Sequence, residues 1–419
     1  MAESAFFAVN CGMIRHVFGG LMKKEKLLMF FMTAFCFNMA ASFVHPVTPT
    51  LIVERSLDSS MFGVALAAMM TMNFLFSPFW GRLCAYVPTK RIMLICCVGY
   101  AAGQLLFGSA YTEAAVVGGR MFAGVFTGGV FTAMSNYVIN LSGTDASLRG
   151  RRLVVLTTIQ NVGSACGYFV GGMLGLLSVW TAFIVQVVCL VSSGIGYMLF
   201  CRDDTDAKPV PQKRLSVKDV NPFAAFLVAK NFMTPLLALV FMIVAISAIG
   251  QNSYEQCFNY YIKDQYGMSS AYNGMFKAGI ACLTLALNST VSMYLQKHTD
   301  INKTFLYILA VCTALICSVL LFRGQIVFIA VYIIYSSVMV LRLPLLQAMS
   351  AAQSTPETSN AVMGFYQSMN SLGGIFGALF AGLIYSRNPM YPFILAFIAF
   401  LVSTLIGLAY RKMYAHTGK

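Results

Sequence analysis

Apolar stretches of span length recur along nearly the whole chain, separated by short loops that are alternately basic and almost uncharged. An uncharged run of ~18 residues or more crosses the ~30 Å hydrocarbon layer as a helix. Lipid offers no partner to a free backbone N–H or C=O, so each span has to satisfy its own hydrogen bonds. The pattern therefore predicts an all-α membrane protein. Twelve transmembrane helices are predicted, near 27–53, 59–81, 91–111, 113–141, 152–177, 179–200, 232–262, 270–293, 303–322, 325–350, 360–385 and 390–410. One long polar stretch interrupts them, from Cys201 to Pro222, charged and proline-containing. It reads as a linker at 201–222 between two six-helix bundles, 1–200 and 223–419.

Charge orients this topology. Of 28 Lys and Arg, 21 fall in the termini and even-numbered loops and 4 in the odd-numbered loops; Arg120, Lys277 and Arg342 lie inside spans. Basic loops stay in the cytoplasm, so both termini are expected there, in a multi-pass protein of the cell membrane. The net charge of +14 might otherwise suggest nucleic acid, but the basic residues sit singly in short loops rather than on one polar face. A hydrophobic content of 58% with 10% charged residues and a mean hydropathy of +0.75 also departs from soluble domains, which carry about 25% charge. The first apolar run, from Leu27, follows Lys23-Lys24-Glu25-Lys26 and is too long for a cleaved signal peptide.

Twelve cysteines lie mostly inside spans, without C-x-x-C pairs, and the four histidines are far apart. No metal site or cofactor is expected, and the cysteines read as small packing residues. There is no phosphate-binding G-x-x-x-x-G-K-[S/T] run and no cluster of His, Asp and Ser, so neither an ATP-driven machine nor an intramembrane enzyme is expected.

The two halves repeat weakly. Ser59-Ser60 matches Ser269-Ser270, and Gly163, Gly167 and Gly172 match Gly373, Gly377 and Gly382, all at an offset of 210. Ala133-Met134-Ser135 matches Ala348-Met349-Ser350 at 215. Parallel repeats about an axis along the membrane normal mark one transporter architecture.

Two six-span halves, a basic central loop and glycine-rich fifth and eleventh spans resemble the major facilitator superfamily. The second-to-third loop, Gly81-Arg82-Leu83-Cys84-Ala85-Tyr86-Val87-Pro88-Thr89-Lys90-Arg91, is similar to the family's loop motif in its glycine, leucine and terminal basic pair (Lys90, Arg91). Ala85 stands where the family has an acid that latches the cytoplasmic gate, so the latch should be weak or built otherwise. Gly119-Arg120, followed by Gly124, Gly128 and Gly129, resembles the family's arginine motif, often tied to proton coupling. Gly163 to Gly172 is similar to the glycine motif of antiporters without its usual proline, and Pro46-Val47-Thr48-Pro49 is like the outer end of drug exporters. The resemblance implies a pseudo-two-fold fold and a monomeric secondary transporter of a small-molecule substrate. It works by alternating access, with the proton as coupling ion and efflux as direction. Uptake or exchange of an organic anion, and a non-transporting receptor on the same fold, are the alternatives.

A charge in hydrocarbon costs about 2.5–3.5 kcal/mol on insertion scales. Arg120, Lys277 and Arg342 are therefore candidate substrate contacts, set against snorkelling to an interface. Glu255, in the polar hexad Gln251-Asn252-Ser253-Tyr254-Glu255-Gln256, is the intramembrane carboxylate best placed for proton coupling, with Arg120 beside it in that role. Asn38, Gln160, Asn161, Asn252, Tyr254, Gln367 and Asn370 are mid-span polar candidates, and Phe258, Tyr366 and Tyr137 candidate cavity aromatics. Three cations against one acid, and no acid in the first span, favour neutral or anionic solutes. The glycine row Gly163, Gly167 and Gly171, with Gly373 and Gly377, reads as close helix packing rather than substrate contact.

Overall fold

The computed structural model describes residues 25–416 apart from 58–60, 144, 205–228, 268–275, 277, 278, 281, 285, 288, 289, 292, 323, 356 and 386. Lys277, the Ser269-Ser270 repeat and most of the expected linker lie outside the described residues. Among those described, the regular elements are helical, and ten helices are long and apolar enough to cross a membrane, beside the shorter apolar helix Leu27–Ala41. Polar residues start several of them. The side chains of Thr112, Asp145, Ser178, Thr234 and Asp300 each accept a backbone N–H of the turn that follows, using donors a helix cannot pair internally.

Two expected spans are broken, both at prolines. The first is Glu25–Ala41 followed by Thr48–Glu54 rather than one helix over 27–53. Pro46 has no N–H to offer the carbonyl of Ser42, which instead accepts from His45 at 3.3 Å in a tight turn. The tenth, still one candidate span over Gln325–Ala352, turns within it: Gln325–Met339 is followed by Arg342–Ala352. Pro344 cannot donate to the carbonyl of Val340, and the helix turns at Val340–Leu341.

The halves pack alike. The first span lies on the fifth (Ala146–Leu177) and sixth (Val179–Phe200), as the seventh (Pro235–Asp264) lies on the eleventh (Ser359–Tyr385) and twelfth (Tyr391–His416). The third (Thr89–Ser109) meets the fourth (Glu113–Ser142) and sixth as the ninth (Ile301–Leu321) meets the tenth and twelfth. The glycines fix the register. A methyl at Gly163 would sit 2.9 Å from the carbonyl oxygen of Phe35 and 3.2 Å from Cβ of Asn38. At Gly373 it would strike the carbonyl of Ala245 and come within 2.6 Å of Cβ of Ala248. Gly167 faces Met39 and Ser42, Gly377 faces Ile249 and Asn252, and Gly171 faces Phe43. In the 163/373 and 167/377 pairs each partner is displaced by the same 210 residues as its glycine, so the repeat is one helix contact built twice; Gly171 has Ala381 at the matching position. Gly172 and Gly382 face open space and take no part in it.

Between the halves, the second span (Met61–Tyr86) runs along the eleventh, and the fourth and fifth touch the eleventh, the second segment of the tenth and Met293–His298. These contacts close the end of the molecule that carries Arg82, Lys90 and Arg149, here called the basic end. There the chain leaving the sixth span is pinned back. Buried Asp204 accepts from the N–H of Thr89 at 3.0 Å, from Thr89 Oγ1 at 2.8 Å and from Asn140 Nδ2 at 2.8 Å. Lys90 pairs with Asp203 at 3.3 Å, while Arg91 is exposed. At the opposite end Arg55 donates to the carbonyls of Gly108 and Ala110 and lies over the Tyr111 ring at 4.5 Å, capping the third span.

Candidate transport site

Ser247, Gln251 and Glu255 recur every four residues on the seventh span, so they form one row along its face. The break in the tenth span delivers Arg342 to that row. Its side chain is fully buried, with Nη1 donating to Ser247 Oγ and Nη2 to Gln251 Oε1 at 2.5 Å. Gln251 Nε2 then donates to Glu255 Oε1 at 2.8 Å. Arg342 therefore does not snorkel; it is tied across two helices. Glu255, half-buried, lies within electrostatic reach of Tyr332, Tyr335 and Arg342.

Arg120 occupies a different setting in the first half. It is 4% exposed, with its guanidinium carbon 3.8 Å from the centre of the Phe107 ring. Its terminal nitrogens reach Met69 Sδ at 3.8 Å and Thr48 Oγ1 at 3.4 Å, and Nε meets no acceptor. A cation–π contact is worth ~2 kcal/mol or more once desolvated, but two weak acceptors leave most of the five donors of this group unmet. Arg120 and Glu255 are thus not brought together. The position matching Glu255 at the 210 offset is His45, whose ring stacks on Tyr168 at 5.4 Å.

Several expected contacts turn inward. Tyr254 is fully buried, 4.5 Å from Tyr335 and 5.8 Å from Tyr332 between ring centres, in an aromatic stack where Phe258 lies flat on Tyr332 at 3.4 Å. Its ring is committed to holding the seventh span on the tenth. Tyr137 and Tyr366 are likewise buried within their halves. Asn38 is buried and donates to Ala34 of its own helix at 2.7 Å. Asn252 is half-buried and donates to Ala248 at 2.9 Å, while Gln160, Asn161, Gln367 and Asn370 are half-buried on the fifth and eleventh spans. Gln251, Ser247 and Thr48 were not singled out by the sequence as site residues. The four-residue spacing of 247, 251 and 255 was the available signal for the first two.

The seam at the basic end is built without the missing acid. A methyl at Gly81 would stand 2.7 Å from the carbonyl oxygen of Asn360 and 2.7 Å from Cα of Gly364, so backbone meets backbone. Pro78 leaves the carbonyl of Phe74 without its helical donor, and Ser368 Oγ of the eleventh span supplies one at 2.5 Å. Asn136 Nδ2 donates to the carbonyl of Asn360 at 3.4 Å, and Arg149 to that of Ala351 at 3.1 Å.

Residues 30–342 match the family model of the Major Facilitator Superfamily, and the chain belongs to that family. It is 24% identical over 350 residues to the class C tetracycline resistance protein of Escherichia coli, covering 82% of this chain and 86% of that one. It is 20% identical over 372 residues to multidrug resistance protein 1 of Bacillus subtilis, covering 88% and 92%. In structure it superposes on the human organic anion transporter MFSD10 with a TM-score of 0.77 at 15% identity, covering 92% of this chain and 100% of that one. The chain is a multi-pass membrane transporter of this fold.

Proposed function

We propose that this transporter exports a small organic solute in exchange for protons, by alternating access between its two halves. The observation that carries the reading is the Arg342–Gln251–Glu255 row, which ties a fully buried cation to a half-buried carboxylate hydrogen-bonded inside a membrane span. Such a group is costly to keep unless it works. The names of the similar resistance proteins support export. In this reading the basic end and both termini face the cytoplasm of the cell membrane, and the structure is the state closed on that side. Glu255 takes a proton from outside, and its release inside accompanies the return step. The test is transport by the purified protein in liposomes under an imposed pH gradient. Glu255→Gln is expected to abolish gradient-driven transport while sparing counterflow exchange, because glutamine matches the size and hydrogen bonds of glutamate but does not titrate. Full gradient-driven transport by this variant would remove Glu255 from the mechanism.

Arg120 adds a specific observation on substrate charge. Its weak acceptors leave room for a better one, and an anionic or zwitterionic solute would supply it. A solute panel of mixed charge, tested on Arg120→Gln, is expected to lose its anions first.

A further inference from the structure

We infer that Gln251 is the positioning residue that passes the charge state of Glu255 to the hinge of the tenth span. This rests on the reading of Glu255 as the titrating group. Arginine can only donate, so the oxygen of the Gln251 amide is obliged to face Arg342 and its NH2 to face Glu255. The row thus has one direction: cation, amide, anion. It is complete when Glu255 is ionised, because the carboxylate then accepts a charge-assisted bond and balances the buried guanidinium through a single amide. Protonation removes that charge, and a neutral acceptor holds the amide about half as strongly. The guanidinium is then left buried with neutral partners. Around Arg342 the charged or titratable neighbours are Glu255 on the seventh span, Tyr335 on the tenth, Tyr366 on the eleventh and Cys312 on the ninth. Around Glu255, among the described residues, they include Arg342, Tyr332 and Tyr335.

Position gives this loss its effect. Arg342 is the first residue after the turn at Val340–Leu341, where Pro344 has already removed a helical bond. Ser247 and Gln251 are the seventh-span groups that receive its two terminal nitrogens. A second segment released from the seventh span at this point is free to reorient about the turn. That segment packs on the fifth span of the other half and includes Ala351, which accepts from Arg149 at the seam. The path from Glu255 to the closed end is therefore a hydrogen-bond row, a hinge and a short rigid helix.

The test uses the full-length protein in nanodiscs, with bioorthogonal fluorophores incorporated at Tyr86 and Thr355 on either side of the seam. In the unsubstituted protein the ratio of open to closed seam is expected to change with pH, by at most about tenfold per unit for one coupled proton. Glu255→Gln is expected to flatten that response; if it does not, Glu255 is not the titrating group and both readings fall. Gln251→Met keeps the volume and cuts the row. It is expected to flatten the response to less than about twofold per unit. Gln251→His, whose neutral ring accepts at one nitrogen and donates at the other, is expected to restore it, and Gln251→His combined with Glu255→Gln to stay flat, which separates the row from titration of the new ring. A Gln251→Met response equal to the unsubstituted one overturns the inference and leaves Glu255 in place. A flat response in both Gln251 variants also overturns it, because the position then serves packing alone. Should Gln251→Met not fold, Gln251→His decides when set against Gln251→His with Glu255→Gln: a response present in the first and lost in the second supports the row, and one present in both or in neither refutes it.

Discussion

Adding one methyl at Gly81 should move the whole protein away from the closed state. The glycine lies where the second and eleventh spans touch, and the added carbon would sit 2.7 Å from the oxygen of Asn360, 2.7 Å from Cα of Gly364 and 2.9 Å from its nitrogen. All three are backbone atoms, so no side chain can rotate away. Relief requires the helices to part. Overpacking of this kind costs ~1–3 kcal/mol, and it acts only while the seam is closed. A mid-range figure of about 2 kcal/mol lowers the closed-to-open ratio about thirtyfold, each 1.4 kcal/mol being tenfold. The two-fluorophore measurement across Tyr86 and Thr355 reads this directly, and Gly364→Ala, whose methyl would meet the Ser77 oxygen at 2.6 Å, should behave alike. Gly63→Ala on the same span is the control, since nothing lies within 4 Å of that position. A closed population in Gly81→Ala equal to that of Gly63→Ala would refute the reasoning.

Other outcomes follow from the same geometry. Gly167→Ala and Gly377→Ala should each lower thermal stability in detergent by a similar margin, whereas Gly172→Ala and Gly382→Ala, which face open space, should leave the melting temperature unchanged. Replacing Arg120 with Met should abolish transport of anionic solutes while the melting temperature holds or rises. Exchanging a poorly partnered buried charge for an apolar side chain is often neutral or stabilising by ~1–4 kcal/mol. A fall of several degrees with transport intact would show that Arg120 is structural. Burial pushes the Cys201 thiol, just past the sixth span, up to about 12. A polar maleimide at neutral pH should modify it only after unfolding, because the reactive thiolate is then on the order of one part in 100,000 at pH 7; labelling of the folded protein at the rate of a free thiol would contradict the buried placement.

The fold was legible because lipid reduces the options. Run length and loop charge marked the spans, and the glycines at 163, 167, 373 and 377 carried the repeat, since only a residue without Cβ permits the carbonyl contacts now seen. The breaks were visible as Pro46 and Pro344 but were read as continuous helix, because hydropathy averages over a window wider than one turn. At the end where Ala85 replaces the family's acid, the halves meet through glycine contacts and the carbonyl that Pro78 frees, which depend on how the second and eleventh spans lie against each other. The site was less legible. Arg342 and Glu255 stood out as charges, but which residue joins them depends on the angle at which the tenth span meets the seventh, and no linear pattern encodes that. Tyr254 and Asn38 looked like cavity residues because polarity inside a span draws the eye. Direction around the helix, which no linear pattern encodes, buries Tyr254 against Tyr335 and Asn38 beside Gly163.

The glycine contacts made twice, 210 residues apart, also say how the machine can bend. Where a carbonyl rests against a bare Cα at successive turns, the two helices have no slack and travel as a single girder. The first and fifth spans form one such girder and the seventh and eleventh the other. Among the described residues, the kinks beside Pro46 and Pro344 are where the stems give way, and the seam is a contact that has to part as a whole. Stiff stems that meet at one tight seam favour two end positions over a continuum, because interfaces packed this closely are bistable rather than continuously deformable.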